Sequence, residues 1–185
     1  MKSIDLSKIS KFFDVNDREK YWREQWKNLK VHSRIKNSKR KENFVIDSPP
    51  PTVSGSLHIG HIFSYTHQDL IARYKRMRGY NVVYPMGWDD NGLPTERRVQ
   101  NYFGVRAEPN VPYIENIDVE KEKEKLGIKK QHQLIISRQN FIEMCSLVTH
   151  EDEKAFKEVF ERMGYSIDWG DLYTTIDEKS RRTAQ

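Results

Sequence analysis

Cysteine occurs once in this sequence, at Cys145, which excludes an internal disulfide and any cysteine-built zinc cluster. On a stretch of helical period that lone thiol reads as a small, buried, apolar side chain. Long apolar runs are missing too: no stretch approaches the roughly 20 residues needed to span a bilayer. Met1 to Phe13 has no extended apolar core and carries Asp5, so it fits neither a secretory signal nor an acid-poor transit peptide. These absences predict a cytoplasmic protein with no membrane contact. Apolar residues are scarce overall, 36% against 32% charged, which is low for a self-contained unit of 185 residues. Some apolar surface is therefore expected to face further protein. Positive charge is in excess, with a formal +5 and a pI near 9.2, which suits a polyanionic partner and says nothing about fold. Acidic residues vanish from Lys27 to Lys41, which holds seven Lys or Arg.

The stretch the rest is organised around runs from Pro49 to His61, Pro-Pro-Pro-Thr-Val-Ser-Gly-Ser-Leu-His-Ile-Gly-His. It follows the apolar run Phe44-Val45-Ile46-Asp47 and precedes a segment of helical period, so a strand hands over to a helix there. The prolines hold the chain extended and stop the strand, and Gly55 permits a turn. The helix is expected to begin near Leu57, where free amides and the helix dipole suit phosphate. His58 and His61 are three apart, on one face of the first turn, and both can donate to phosphate oxygens. Gly60 between them leaves room for a flat ring such as adenine. A His-x-Gly-His sequence alone is a weak signal. A second corner strengthens it: Gly87-Trp88-Asp89-Asp90-Asn91-Gly92-Leu93-Pro94 again leaves an apolar run, Val82-Val83-Tyr84, and enters a helical pattern near Thr95. Two such corners predict an α/β fold with a parallel sheet and ligands at the carboxyl ends of its strands. Asp89, a carboxylate at a strand end, reads equally as a partner for an ammonium group or as a helix cap. Asp90 and Asn91 read as turn and capping residues, and Trp88 as a pocket wall or core.

Together the two corners resemble the class I aminoacyl-tRNA synthetases, whose His-Ile-Gly-His signature stands at His58 to His61. The Gly-Trp-Asp-x-x-Gly-Leu-Pro corner narrows the resemblance to the branch handling valine, isoleucine and leucine. Thr95-Glu96-Arg97, Ser137-Arg138-Gln139-Asn140-Phe141-Ile142-Glu143 and Asp168-Trp169 lean toward the valyl-tRNA synthetase family, in the form found in archaea and some bacteria. The resemblance spans about Val15 to Gln185. It implies the first half of a Rossmann-like catalytic domain over 43–185, preceded by a helical arm and basic linker over 1–42. It implies ATP contacts from Ser56, His58, Gly60 and His61, with the two histidines as the catalytic pair. Pro50, Pro51, Thr52, Trp88 and Asp89 would face the amino acid, Asp89 taking its ammonium with help from backbone carbonyls of Pro49 to Pro51. Valine, ATP with Mg2+ and tRNA(Val) are the implied partners of a monomeric enzyme, with no resident metal. A Lys-Met-Ser-Lys-Ser loop, an editing insertion, the second half of the sheet and an anticodon-binding domain have no counterpart in these residues. The chain is therefore read as an N-terminal portion, inactive alone. Isoleucyl-tRNA synthetase, a small nucleotidyltransferase and a non-catalytic RNA-binding module remain as alternatives.

The remaining chain reads as follows. Asp17 to Lys30 is a helix capped by Asn16 or Asp17, with Trp22, Trp26 and Leu29 as its packing stripe. The basic stretch after it is a solvated linker or a contact for tRNA phosphates. Asn43 to Asp47 is the first strand. Leu57 to Arg78 is the first core helix, buried through Ile59, Ile62, Phe63, Leu70 and Tyr74 and ended by Gly79. Lys75, Arg76 and Arg78 offset its dipole. Asn81 to Tyr84 is the second strand, and Thr95 to Phe103 a short helix closed by Gly104. Val105 to Lys130 is an exposed excursion outside the sheet. Ser137 caps a helix to Leu147, and Thr149 caps another over 150–163, the two packing as a pair before Gly164. Leu172 to Thr175 is a strand, and Asp177 caps a last helix.

Overall fold

The computed structural model describes residues 12–35, 39 and 42–185. Residues 1–11 lie outside it, as do Lys36, Arg40 and Lys41 of the basic stretch. Helix α1, Val15–Leu29, starts where Asp14, in extended conformation, turns Oδ1 onto the Asp17 amide at 3.0 Å. The cap is thus Asp14 and not Asn16 or Asp17, because a capping oxygen must precede the first helical residue to reach its orphan amides. The expected stripe docks in part. Trp26 is half-buried with the Arg73 guanidinium 5.9 Å from its ring, while Trp22 and Leu29 are exposed.

Strand β1, Asn43–Val45, helix α2, Ile59–Met77, and strand β2, Asn81–Val83, form a parallel crossover with Asn43 opposite Asn81 and Val45 opposite Val83. Asn81 Nδ2 pins the start of the pair, donating to Asn43 Oδ1 at 2.8 Å and to Ile35 O at 3.1 Å. Helix α2 buries a different face from the one its periodicity predicts. Of the five expected side chains only Ile62 packs on the core, and Ile59 is 81% exposed, with Phe63, Leu70 and Tyr74 also outward. The inward face carries Tyr65, Asp69 and Ala72. Asp69 can be buried because Oδ1 accepts from Ser166 N and Oγ, both at 2.6 Å, and Oδ2 from Arg73 Nε at 2.6 Å. Three charge-assisted bonds offset the cost of burying a carboxylate, which a count of apolar residues cannot register. Arg76 likewise does more than offset the helix dipole: it donates to Ser166 O at 2.7 Å and holds the 164–168 turn.

After β2, strand β3, Met86–Trp88, leads into helix α3, Leu93–Phe103, which starts before the expected Thr95 with Pro94 in its first turn and ends at Gly104 with φ 61°. Val105 to Lys130 is not simply an exposed excursion. It stays out of the β1–β2 pair, but strand β4, Val105–Glu108, pairs in parallel with β5, Leu134–Ser137, and helix α4, Val119–Lys125, lies between them. Val99, Val105, Val119, Leu134, Ile136, Phe141 and Met144 close a second core there. The short alternation of β4 is masked in the sequence by Pro109 and Pro112 directly after it.

Helix α5 runs unbroken from Arg138 to Arg162, capped by Ser137, whose Oγ accepts from Asn140 N at 3.0 Å. The expected break at Thr149 does not occur, because its hydroxyl bonds back to Cys145 O at 3.1 Å, a bond a threonine makes inside a helix as readily as a cap outside it. Phe141 and Met144 therefore enter the second core while Phe156 and Phe160 enter the first, so one helix ties both cores together. Cys145 sits on it half-buried, its thiol pushed up to about 11 by burial first and by Glu96 next. Strand β6, Leu172–Thr174, pairs in parallel with β3, and Asp177 caps helix α6, Glu178–Ala184. Phe160, fully buried in the first core, contributes roughly 2–3 kcal/mol by the area removed from water.

Candidate active site

His58 is the N-cap of α2, one position outside the first turn in which the sequence placed it. Its Nδ1 accepts from Gly60 N at 3.2 Å, and His61 Nδ1 accepts from His58 N at 3.2 Å. The two histidines thus fill the reciprocal cap that Ser and Glu provide elsewhere, and their rings lie 3.9 Å apart. A ring nitrogen that accepts carries no proton, so each ring presents its N–H at Nε2. Two N–H donors stand side by side at a helix N-terminus as a result. Burial, then the neighbouring His58, lower the pKa of His61 and so favour its neutral form. Gly60 serves a nearer purpose than room for a nucleobase. A Cβ there would stand 3.0 Å from His58 Cε1 and Nδ1, so the missing side chain is what lets His58 fold over the helix start. Ser56 is exposed just ahead of this cap.

The two corners meet through backbone. Thr52 and Asp89 form a parallel bridge in which Val53 N donates to Asp89 O at 2.9 Å and Asp89 N to Pro51 O at 3.0 Å. Pro49 O is also engaged, accepting from Tyr65 Oη at 2.7 Å. The Asp89 carboxylate is half-buried and held at both oxygens, Oδ2 by Thr52 Oγ1 at 3.1 Å and Oδ1 by Thr175 Oγ1 at 3.2 Å. A fixed carboxylate at a strand end is suited to a cation.

Thr175 was not singled out by the sequence, which reads it as the end of a strand. It lies one residue beyond β6, its hydroxyl accepts from Asp90 N and Asn91 Nδ2 at 3.1 Å each, and it aligns the Asp89 to Asn91 corner. The signal available was chemical: a strand-end carboxylate needs donors, and a Thr at the end of a neighbouring strand is one. Asp90 is not the turn cap expected of it. Helix α3 is preceded by Gly92 with no side-chain cap, and Asp90 turns inward against Glu153. Trp88, 3% exposed, lies against Phe156, Phe160 and Trp169 and belongs to the core.

Residues 21–116, carrying both corners, match the family described as tRNA synthetases class I (I, L, M and V). The chain belongs to the class I tRNA synthetases. Among curated relatives of this synthetase chain, the valine–tRNA ligase of Thermobifida fusca is 50% identical over 186 residues, covering 97% of this chain and 20% of that protein. That of Bifidobacterium longum is 51% identical over 190 residues, covering 99% and 20%. That of Cutibacterium acnes is 55% identical over 146 residues, covering 79% and 16%. The chain thus spans at most 20% of the length of these relatives. They are bacterial, so the leaning toward an archaeal form finds no support in them. The fold is shared with LeuRS of Agrobacterium radiobacter, solved in a ternary complex with tRNA and LeuAMS, at a TM-score of 0.61 and 22% identity over 91% of this chain and 16% of that one. Among the described residues no helix of this synthetase chain is long and apolar enough to cross a membrane.

Proposed function

We propose that the protein carrying this chain is a valine–tRNA ligase, which joins valine to ATP as valyl-adenylate with release of pyrophosphate and then passes valine to the terminal ribose of its tRNA. The observation that carries the reading is the Thr52–Asp89 bridge, which joins the corner leading to His58 and His61 to the corner carrying Asp89. Half identity to valine–tRNA ligases across the chain supports valine as the amino acid.

The valine carboxylate itself attacks the α-phosphorus, so the chain has no nucleophile to supply and works by positioning and by stabilising charge. Asp89, braced by Thr52 and Thr175, takes the ammonium group. Pro50 and Pro51 shape the adjoining edge, and Trp88 backs it from the core. His58 and His61 donate their Nε2 protons to phosphate oxygens as charge moves toward pyrophosphate, with Ser56 and Gly60 at the nucleotide's edge. Mg2+ would accompany ATP as part of the substrate and would offset the charge of its phosphates. Among the described residues no three ligating side chains converge to hold a metal of their own.

Amino-acid-dependent pyrophosphate exchange by the full-length protein, run with valine, isoleucine, leucine and threonine, tests the reading. Fastest exchange with valine is expected. Fastest exchange with isoleucine would move the protein to the isoleucine branch with the site roles unchanged. No exchange with any of the four would leave an RNA-binding module.

A further inference from the structure

Between α1 and the turn that follows α5 lies a cavity of about 610 Å³. Its walls are chemically uneven. Lys20, Arg23, Lys27 and Lys30 come from α1 and its end and Lys157 from α5, against two acids, Glu24 and Glu161. His32 adds no charge at neutral pH, since burial and the nearby Arg76 and Arg73 hold it at about 4. Two half-buried indoles, Trp26 and Trp169, line the same space. Trp169 stacks against Trp88 at 6.5 Å and carries Lys157 Nζ 5.3 Å over its ring. Arg23 Nε is buried and has no hydrogen-bond partner among the described residues.

A desolvated guanidinium N–H without an acceptor is costly, so an acceptor is missing from this picture. Like charges gathered on facing walls are relieved by an anion. Aromatic faces beside those charges, in a space that admits a planar ring, add the other half of a nucleotide's chemistry: an anionic backbone with a stackable base. We propose that this cleft holds one unpaired nucleotide of an RNA strand, its base against the indoles and its phosphates on the lysines. The inference rests on the reading that the protein handles RNA and adds where a strand is gripped. Because Trp169 stacks on Trp88, next to Asp89, the gripped nucleotide would lie directly behind the amino acid corner.

Lys20 and Lys27 are exposed, seven residues apart on one face of α1, so Lys20→Glu/Lys27→Glu spares every packed contact described for that helix. The test measures anisotropy of a labelled eight-nucleotide single-stranded RNA with the full-length protein across a salt series. The double variant is expected to weaken binding about tenfold or more and to lower the slope of log K against log salt by about 1.4, for two lost phosphate contacts. Pyrophosphate exchange is expected to stay unchanged. RNA affinity within twofold of the parent would overturn the proposal. Lys157→Gln, on the opposite wall, must also weaken RNA binding, and its failure to do so would overturn the proposal even if the double variant weakened it. An abasic ribose-phosphate oligomer that binds as tightly as the RNA would also overturn it, since the site would then read charge alone. AMP that displaces the RNA would support the site and show that a free nucleotide also fits. Exchange with no amino acid would remove the ligase reading and leave this titration interpretable.

Discussion

Asp90, 6% exposed and with no hydrogen-bond partner at Oδ1, sits close enough to Glu153 to feel its charge. Two carboxylates in that position cannot both be charged cheaply, so they retain a proton that would be lost in water. Burial first, then the charge of Glu153, push Asp90 up to about 7.

The pH dependence of stability follows from that proton. The folded value lies above the unfolded one, so the native state binds the proton more tightly between them. The stability contributed is complete below the ordinary carboxylate range and is lost as pH rises through about 7. Asp90→Asn, which replaces the titrating carboxyl with a neutral amide, is expected to abolish this dependence and to be the more stable protein at pH 8 by about 2 kcal/mol. Thermal unfolding of parent and variant at pH 5 and pH 8 checks it. A parent as stable at pH 8 as at pH 5 would rule out the shared proton.

The histidine pair allows the capping role to be separated from the phosphate role. His58→Asn keeps an oxygen that can accept from Gly60 N but removes the Nε2 donor. It is expected to unfold within about 0.5 kcal/mol of the parent while pyrophosphate exchange falls about 100-fold and amino acid binding changes little. His61→Ala is expected to lose a similar rate and about 1 kcal/mol of stability with the reciprocal cap. If His58→Asn kept its full exchange rate, His58 would be a cap and no more.

Much of this site is readable in the residues because it depends on local chemistry. Prolines that end a strand, a histidine pair at a helix start and a carboxylate after an apolar run are marked by local residues, although His58 caps α2 where the sequence set it inside the first turn. What escaped depends on contacts between distant segments. The inward face of α2 is centred on Asp69, acceptable there only because Ser166 and Arg73 meet it, so apolar periodicity pointed to the opposite face. Thr149 has the same hydroxyl chemistry inside a helix as at its start, which hid the continuity of α5. Thr175 gains its meaning from a partner 86 residues away. Val105 to Glu108 pairs with a strand beyond α4, and nothing local marks that pairing.

Thr175 gives a third prediction, about the amino acid. Its hydroxyl donates to Asp89 and accepts from two groups of the same corner, so Thr175→Val removes all three bonds while keeping shape. As a positioning residue it is expected to raise KM for valine about tenfold with kcat for exchange nearly unchanged. Asp89→Asn, which removes the charge itself, is expected to lower kcat/KM about 100-fold or more. A KM in Thr175→Val equal to the parent's would show that Thr52 alone suffices to hold Asp89.

Gly87 and Tyr173 supply the last prediction, which concerns how the second corner is built. They face each other across the β3–β6 pair, and a Cβ on Gly87 would stand 2.2 Å from the Tyr173 ring carbon that bears the hydroxyl. The Tyr173 ring must be driven off the strand to admit a methyl, so Gly87→Ala is expected to cost about 1–3 kcal/mol and to disturb β6 together with Thr175. Loss of amino acid affinity should accompany the loss of stability, because Asp89 would lose its brace at Oδ1. Tyr173→Ala in the same chain opens the space the methyl needs. The double variant is therefore expected to be more stable than Gly87→Ala alone, with a coupling of at least 1 kcal/mol between the two sites. Denaturant unfolding of both single variants and the double variant closes the cycle. Additive losses would mean that the ring moves aside freely and that Gly87 is required for some other reason.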